Sequence, residues 1–234
     1  MRQDVQILET LFAMQRHSDF VRRGYHWWTG GIIEVGKALR LQRRFEALYE
    51  VNLHRNVRAR QRKRGVGVPL LLFYRLPMVM SVGNQTGPEE HLPRIGWTLL
   101  VSDGECTARH REVLRDALDP ASRLTIGPYE LVRLSRSGQL APAWSYRMSR
   151  AYCEAWRERV IRSARGDPAE VPHLVLGALY REPGFAGVRS QVGHVCALYR
   201  REWRRRRGGQ QPFPGLPRLR YVQRLPYRAE SFRG

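Results

Sequence analysis

Val68-Pro69-Leu70-Leu71-Leu72-Phe73-Tyr74 and Ile95-Gly96-Trp97-Thr98-Leu99-Leu100-Val101 decide the fold class. Each is a short apolar run of strand length, and each suits a buried, pleated surface. Met78 to Val82 reads as a continuation of the first strand past a kink at Pro77. Gly83 to Pro93 reads as a loop. Ser102-Asp103-Gly104-Glu105 turns the chain into a short helix over 107–118. Tyr129 to Leu134 alternates, and Ser137-Gly138 turns it back toward Trp144 to Met148, so 129–148 reads as an antiparallel hairpin.

Outward from these strands both flanks are helical. Residues 3–23 read as a first helix, with Ile7, Leu8, Leu11, Phe12 and Met14 on one side and Gly24 at its end. Tyr25-His26-Trp27-Trp28-Thr29-Gly30-Gly31 reads as a turn dense in aromatic rings. A long helix is expected from about Ile32, with Ala38, Leu41, Phe45 and Leu48 as its core stripe. It runs on through Arg55 to Arg64 until Gly65 and Gly67 stop it. On the other flank Ser149 caps a helix over 150–165. Further helices follow at 170–181 and 185–206. The last places Val188, Val192, Val195, Tyr199 and Trp203 on one stripe. From Gly208 the tail holds Pro212, Pro214, Pro217 and Pro226 and is extended.

Helices, then strands, then helices make an α+β chain: a small antiparallel sheet of about four strands with one face covered by helices. Four segments follow: a basic helical region over 1–65, a mainly β core over 66–149, C-terminal helices over 150–207, and a Pro/Arg-rich tail over 208–234.

Charge is concentrated at the two ends. Residues 1–65 carry 14 Lys+Arg against 6 Asp+Glu, residues 66–199 carry 16 against 13, and residues 200–234 carry 11 against 2. The differences, +8, +3 and +9, sum to the net +20. A nearly neutral middle between cationic ends points to a polyanionic partner. Only Lys37 and Lys63 are lysines. A GC-rich genome would favour arginine through its codons. So would phosphate recognition, because a guanidinium forks onto phosphate and stacks on bases.

Three regions carry the expected contacts. Arg55, Arg58, Arg60, Arg62, Lys63 and Arg64 spread around a helix axis as a charge cloud, with Arg40 and Arg44 earlier on the same helix. Arg200, Arg201, Arg204, Arg205, Arg206 and Arg207 surround Trp203, whose spacing places it in the core. Arg22, Arg23, Tyr25, Trp27 and Trp28 form either a stacking platform for single-stranded bases or a plug between helices. Arg189 stands one turn into a helix opened by Gly184 and Gly187, a weaker anion site.

No catalytic constellation stands out. Asp103, Glu105 and Glu130 are the carboxylates nearest a metal-nuclease pattern, but no lysine accompanies them. Cys106 and His110, or His194 and Cys196, lack a Cys-x-x-Cys partner for zinc. No cofactor or metal is expected. Three widely spaced cysteines imply no disulfide framework and fit a reducing cytoplasm. No run is long and apolar enough to span a membrane. The reading is a cytoplasmic protein, of bacterial type, that binds nucleic acid, RNA or single-stranded DNA, without catalysis. It would serve as a subunit of a ribonucleoprotein or a mobile-element DNA complex, alongside other protein subunits. Two alternatives stay open. One is a metal-independent endoribonuclease using His26 or His54 as general base. The other is a basic assembly protein with an acidic partner.

Overall fold

A computed structural model describes residues 4–77, 93–135, 141–168, 170–215, 221–226 and 229–232. The chain forms two compact units, one of residues 1–127 with 224–234 and one of residues 128–223. These units regroup the four segments drawn from the sequence.

The first unit is built on a six-stranded sheet. Its strands are β1 (Val5–Leu8), β2 (Trp27–Glu34), β3 (Pro69–Arg75), β4 (Arg94–Val101), β5 (Arg115–Asp116) and, from the tail, a strand at Ala229–Phe232. The order is β5-β2-β4-β3-β1 and then the tail strand. All pairings are antiparallel except β1 with β3. The mixed helix-and-sheet class stands, and the count of about four strands is near but not exact. Four strands of this sheet lay hidden, β5 among them, inside the helix expected over 107–118. Residues 5–8 were expected inside a first helix, yet β1 pairs on both sides, and the helix α1 spans only Thr10–Arg22. The aromatic turn is the start of β2, which pairs with β4 from Trp27↔Val101 to Glu34↔Arg94. The tail closes an edge of the sheet that would otherwise lie open.

Helices cover both faces of this sheet, not one. The continuous apolar runs of β3 and β4 already imply this, because a strand buried on one side only alternates. On one face α2 (Ala38–Tyr49) sets Phe45 and Tyr49 against Leu99, Val101, Leu71 and Trp97. Val5, Ile7, Ala38, Phe73 and Ile95 continue that layer. On the other face His17 of α1 meets Tyr74 edge-on, ring centroids 5.6 Å apart. The expected long helix is broken. A 3-10 turn at Val35–Lys37 precedes α2, Glu50 at φ 54 ends it, and α3 (Arg55–Lys63) starts afresh with the His54 side chain as cap. The short helix expected over 107–118 is α4, Thr107–Arg111 alone.

A short strand, β6 (Thr125–Ile126), falls within the first unit. The second unit starts with the expected hairpin, β7 (Tyr129–Leu134) on β8 (Ala143–Met148), in register from Tyr129↔Met148 to Leu134↔Ala143. Three helices complete the unit: α5 (Arg150–Arg165), α6 (Pro172–Leu179) and α7 (Ala186–Arg207). Ser149 does cap α5, its Oγ accepting from the Tyr152 amide. The whole stripe Val188, Val192, Val195, Tyr199 and Trp203 is buried. Gly187 lets α7 approach β8: a Cβ there would sit 2.5 Å from the Tyr146 carbonyl oxygen. The Gln191 side chain then bonds both the amide and the carbonyl of Met148. Expected features at 78–92 and 137–138 lie outside the described residues.

Candidate nucleic-acid interface

In the first unit α1 and α3 wall a pocket of about 330 Å³. Arg16, Phe20 and Arg23 line it from α1 and its cap, and Tyr25 from the chain just beyond. Arg55, Arg58, Ala59 and Arg62 line it from α3. Five guanidinium groups therefore converge on one concavity.

Helical spacing explains the convergence. On α3 the lining residues fall at i, i+3, i+4 and i+7, which is one face. On the α1 side Arg16, Phe20 and Arg23 fall at i, i+4 and i+7. The charge cloud expected around α3 is thus partly resolved into a stripe. Arg60, Lys63 and Arg64 lie outside it and are exposed. Arg22, Arg40 and Arg44 are exposed as well and do not line the pocket.

The end of α1 sets the floor. Gly24 adopts φ +91, its amide donates to the Val21 carbonyl, and the Tyr25 amide donates to the Phe20 carbonyl. This is a Schellman end, and its usual apolar contact is present, with the Phe20 and Tyr25 rings edge-on at 5.4 Å. Arg62 reaches over from α3. Its guanidinium lies 4.9 Å above the Tyr25 ring centroid and donates to the Arg23 carbonyl. Arg16 lies 4.9 Å over the Phe20 ring. Cation–π contact holds both arginines, and a carbonyl acceptor holds Arg62 as well. No Asp or Glu occurs from Val51 to Pro88, and Arg23, Arg55, Arg58 and Arg62 pair with no carboxylate among the described residues. A concave set of guanidiniums that includes these four is a receptor for phosphate-type anions.

Sequence reasoning named Arg23, Tyr25, Arg55, Arg58 and Arg62 but missed Arg16 and Phe20. The matching i, i+4, i+7 spacing with Arg23 was the available signal.

The aromatic run does not form one platform. Trp27 and Trp28 are neighbours on β2, so they point to opposite faces. Trp28 is buried and its indole N–H donates to the Ser122 carbonyl at 2.9 Å. Trp27 donates to Asp103 at 3.1 Å and lies under Arg109. Tyr25 is buried too, at 4% exposure, so only its covered edge reaches the pocket. Of these rings only Tyr25 sits between helices, against Phe20 of α1 and under Arg62 of α3.

At the end of α7 three of the six cations have partners within the second unit, and one of those partners is a carboxylate. Arg205 pairs with Glu202 at 2.6 Å. Arg207 lies 4.0 Å over the Trp203 ring and donates to Gln211. Arg200 lies 5.7 Å from the Phe213 ring centroid. Trp203 is core, edge-on to Tyr199 and Phe213, with its N–H on the Gln211 carbonyl. Arg201, Arg204 and Arg206 stay exposed. Arg189 stacks on Tyr221, and the neighbouring Gly187 has the packing role described above.

The other candidates have local partners. Glu105 pairs with His110 at 3.0 Å and Glu130 with Arg147 at 3.1 Å. His26 stands 3.7 Å from Asp103, and His54 Nδ1 accepts the Asn56 amide. Among the described residues no three His, Cys, Asp or Glu side chains group as a metal site would require. All three cysteines are free. Among the described residues no helix is long and apolar enough to cross a membrane. No family model matches the chain, and neither a curated protein nor a solved structure matches it.

Proposed function

We propose that this chain binds nucleic acid without cutting it, through the arginine-lined pocket between α1 and α3. We place it in the cytoplasm as a subunit of a ribonucleoprotein or a mobile-element DNA complex. One observation carries the reading: five arginines from two helices converge on one pocket, three of them from a stretch, Val51 to Pro88, free of carboxylates. Simple solvation does not account for this, because like charges repel and gain nothing by converging unless an anion joins them. An acidic protein partner would also supply anions. Phosphate suits the pocket better, since each guanidinium can fork onto its oxygens.

The test is salt dependence with a single-stranded oligonucleotide. If about six phosphates are neutralised, log K should fall against log salt with a slope near −4, about −0.7 for each phosphate. Arg58→Gln with Arg62→Gln should lower the magnitude of that slope by about 1.4. A slope near zero in the unmodified protein would refute the proposal. Cleavage of RNA in the presence of a chelator, lost in His54→Ala, would replace it with the endoribonuclease reading.

A further inference from the structure

We infer that the α1–α3 pocket takes the phosphorylated 5′ end of a strand, as a terminal oligophosphate, and not the sugar–phosphate backbone in passing. This rests on the nucleic-acid reading above and narrows it. The argument starts from charge and space. The pocket holds about 330 Å³, room for about eleven waters at about 30 Å³ each. Five guanidiniums border that volume. An internal phosphodiester brings one negative charge and drags a sugar and base in on either side. A terminal phosphate brings roughly −1.5 to −2 and three acceptor oxygens, and further phosphates add to both. Only the terminal group matches several forked donors within so small a space.

The donors are also held ready. Arg62 is fixed by the Tyr25 ring below it and the Arg23 carbonyl beside it. Arg16 is held over Phe20. Side chains ordered beforehand lose less freedom on binding, which favours a compact, highly charged ligand over a loosely tracked strand. The pocket wall contains Phe20, Tyr25 and Ala59, and no indole or tyrosine face stands open for a base. The site reads phosphate and leaves base identity unread.

The experiment compares one oligoribonucleotide sequence carrying a 5′-triphosphate, a 5′-monophosphate or a 5′-hydroxyl, bound to the full chain at fixed salt. Inorganic triphosphate is the competitor. The triphosphate strand should bind about tenfold tighter than the hydroxyl strand, with the monophosphate between them. Inorganic triphosphate should displace it and raise the melting temperature of the protein. Arg58→Gln with Arg62→Gln should shrink the preference to within about twofold, and the melting curve must show that this variant folds. Equal affinity for all three strands, with the variant weakening each alike, overturns the end-recognition inference and leaves the nucleic-acid reading standing. Inorganic triphosphate binding as tightly as the triphosphate strand assigns the pocket to a small oligophosphate and overturns it as well. Strand binding untouched by the variant removes the nucleic-acid reading of this pocket altogether.

Discussion

Residues 55–64 and residues 200–207 each carry six cations, in ten and eight residues respectively. On α7 the helix has a buried stripe that ends in Trp203, so its last arginines can fold back on aromatic rings and on Glu202. Helix α3 has no buried residue. Its arginines have only α1 to face, and α1 presents two more arginines. The same charge density is spread along a helix end in one place, with one carboxylate partner, and gathered around a concavity in the other. Fixed arginines lose less freedom on binding, and from the sequence that argument favours residues 200–207. The structure qualifies it, since Arg205 is fixed by Glu202, which already uses its charge, whereas Arg207, like Arg62, is held by a ring and a neutral acceptor.

Trp203→Ala tests the α7 side with the largest expected effect. It removes a buried ring that touches Tyr199, Phe213 and Arg207, and should cost about 3–5 kcal/mol of stability. Affinity of the protein that remains folded should change by less than about threefold, because the ring is not a stacking surface. Denaturant melts and oligonucleotide titration together decide it. A large affinity loss at unchanged stability would make Trp203 a base-stacking residue and erase the contrast.

The two units should also respond oppositely to acid. His17 in the first unit is fully buried, its Nδ1–H donates to the Ala13 carbonyl, and burial pushes its pKa down to about 4. The folded state then binds fewer protons than the unfolded one between about pH 4 and its ordinary 6.5. Its contribution is present above 6.5 and is lost as pH falls toward 4, by about 3 kcal/mol in all. Glu182 in the second unit runs the other way. Burial raises its pKa, although Tyr129, Tyr152 and Trp156 all donate to it. Its contribution is present at low pH and is lost as pH rises through the raised value. Hydrogen exchange measured peptide by peptide should show α1 loosening in acid while the β7–β8 hairpin does not. His17→Gln should flatten the first trend and Glu182→Gln the second.

These contrasts were unevenly legible in the sequence. The hairpin at 129–148, the cap at Ser149 and the stripe of α7 could be read because each is local: alternation, a capping hydroxyl, a 3.6-residue period. Strand β1 could not. Val5, Gln6, Ile7 and Leu8 fit a helix equally well, and their state is set by β3 and by the tail, far along the chain. Trp27 and Trp28 looked like a turn because Gly30 and Gly31 follow them. The pairing with β4 overrides that local signal. The α3 side of the pocket was visible as a basic run, and Arg23 and Tyr25 as part of the aromatic stretch. Arg16 and Phe20 were hidden by the same tertiary fact, that α1 lies beside α3.

Removing equal charge from the two regions tests the comparison directly. Arg55→Gln, Arg58→Gln and Arg62→Gln together should weaken strand binding about a hundredfold, near 2.8 kcal/mol, and lower the salt slope by about 2. The exposed set Arg201→Gln, Arg204→Gln and Arg206→Gln should cost less than about tenfold. Each variant loses three positive charges, so net charge cannot account for a difference. Equal losses would mean a diffuse field, and a larger loss at α7 would move the binding surface to the second unit.

The smallest effect belongs to Gly24, and it probes how finely the pocket is set. Gly24 holds φ +91, where a side chain is strained, and a Cβ there would lie 3.1 Å from Arg62 Nη2. That contact is tight, and it is made with the far end of a long side chain, so the clash can be relieved by moving the guanidinium off Tyr25. Gly24→Ala should therefore cost about 1–2 kcal/mol of stability from the left-handed backbone. It should also displace Arg62 from the Tyr25 ring and the Arg23 carbonyl. If prior placement of Arg62 matters, strand affinity falls by about threefold to tenfold while the number of charges stays the same. The salt slope should then hold its value, unlike the loss expected when arginines are removed. Unchanged affinity at reduced stability would show that the pocket works by charge alone and that the Schellman end of α1 only closes a helix.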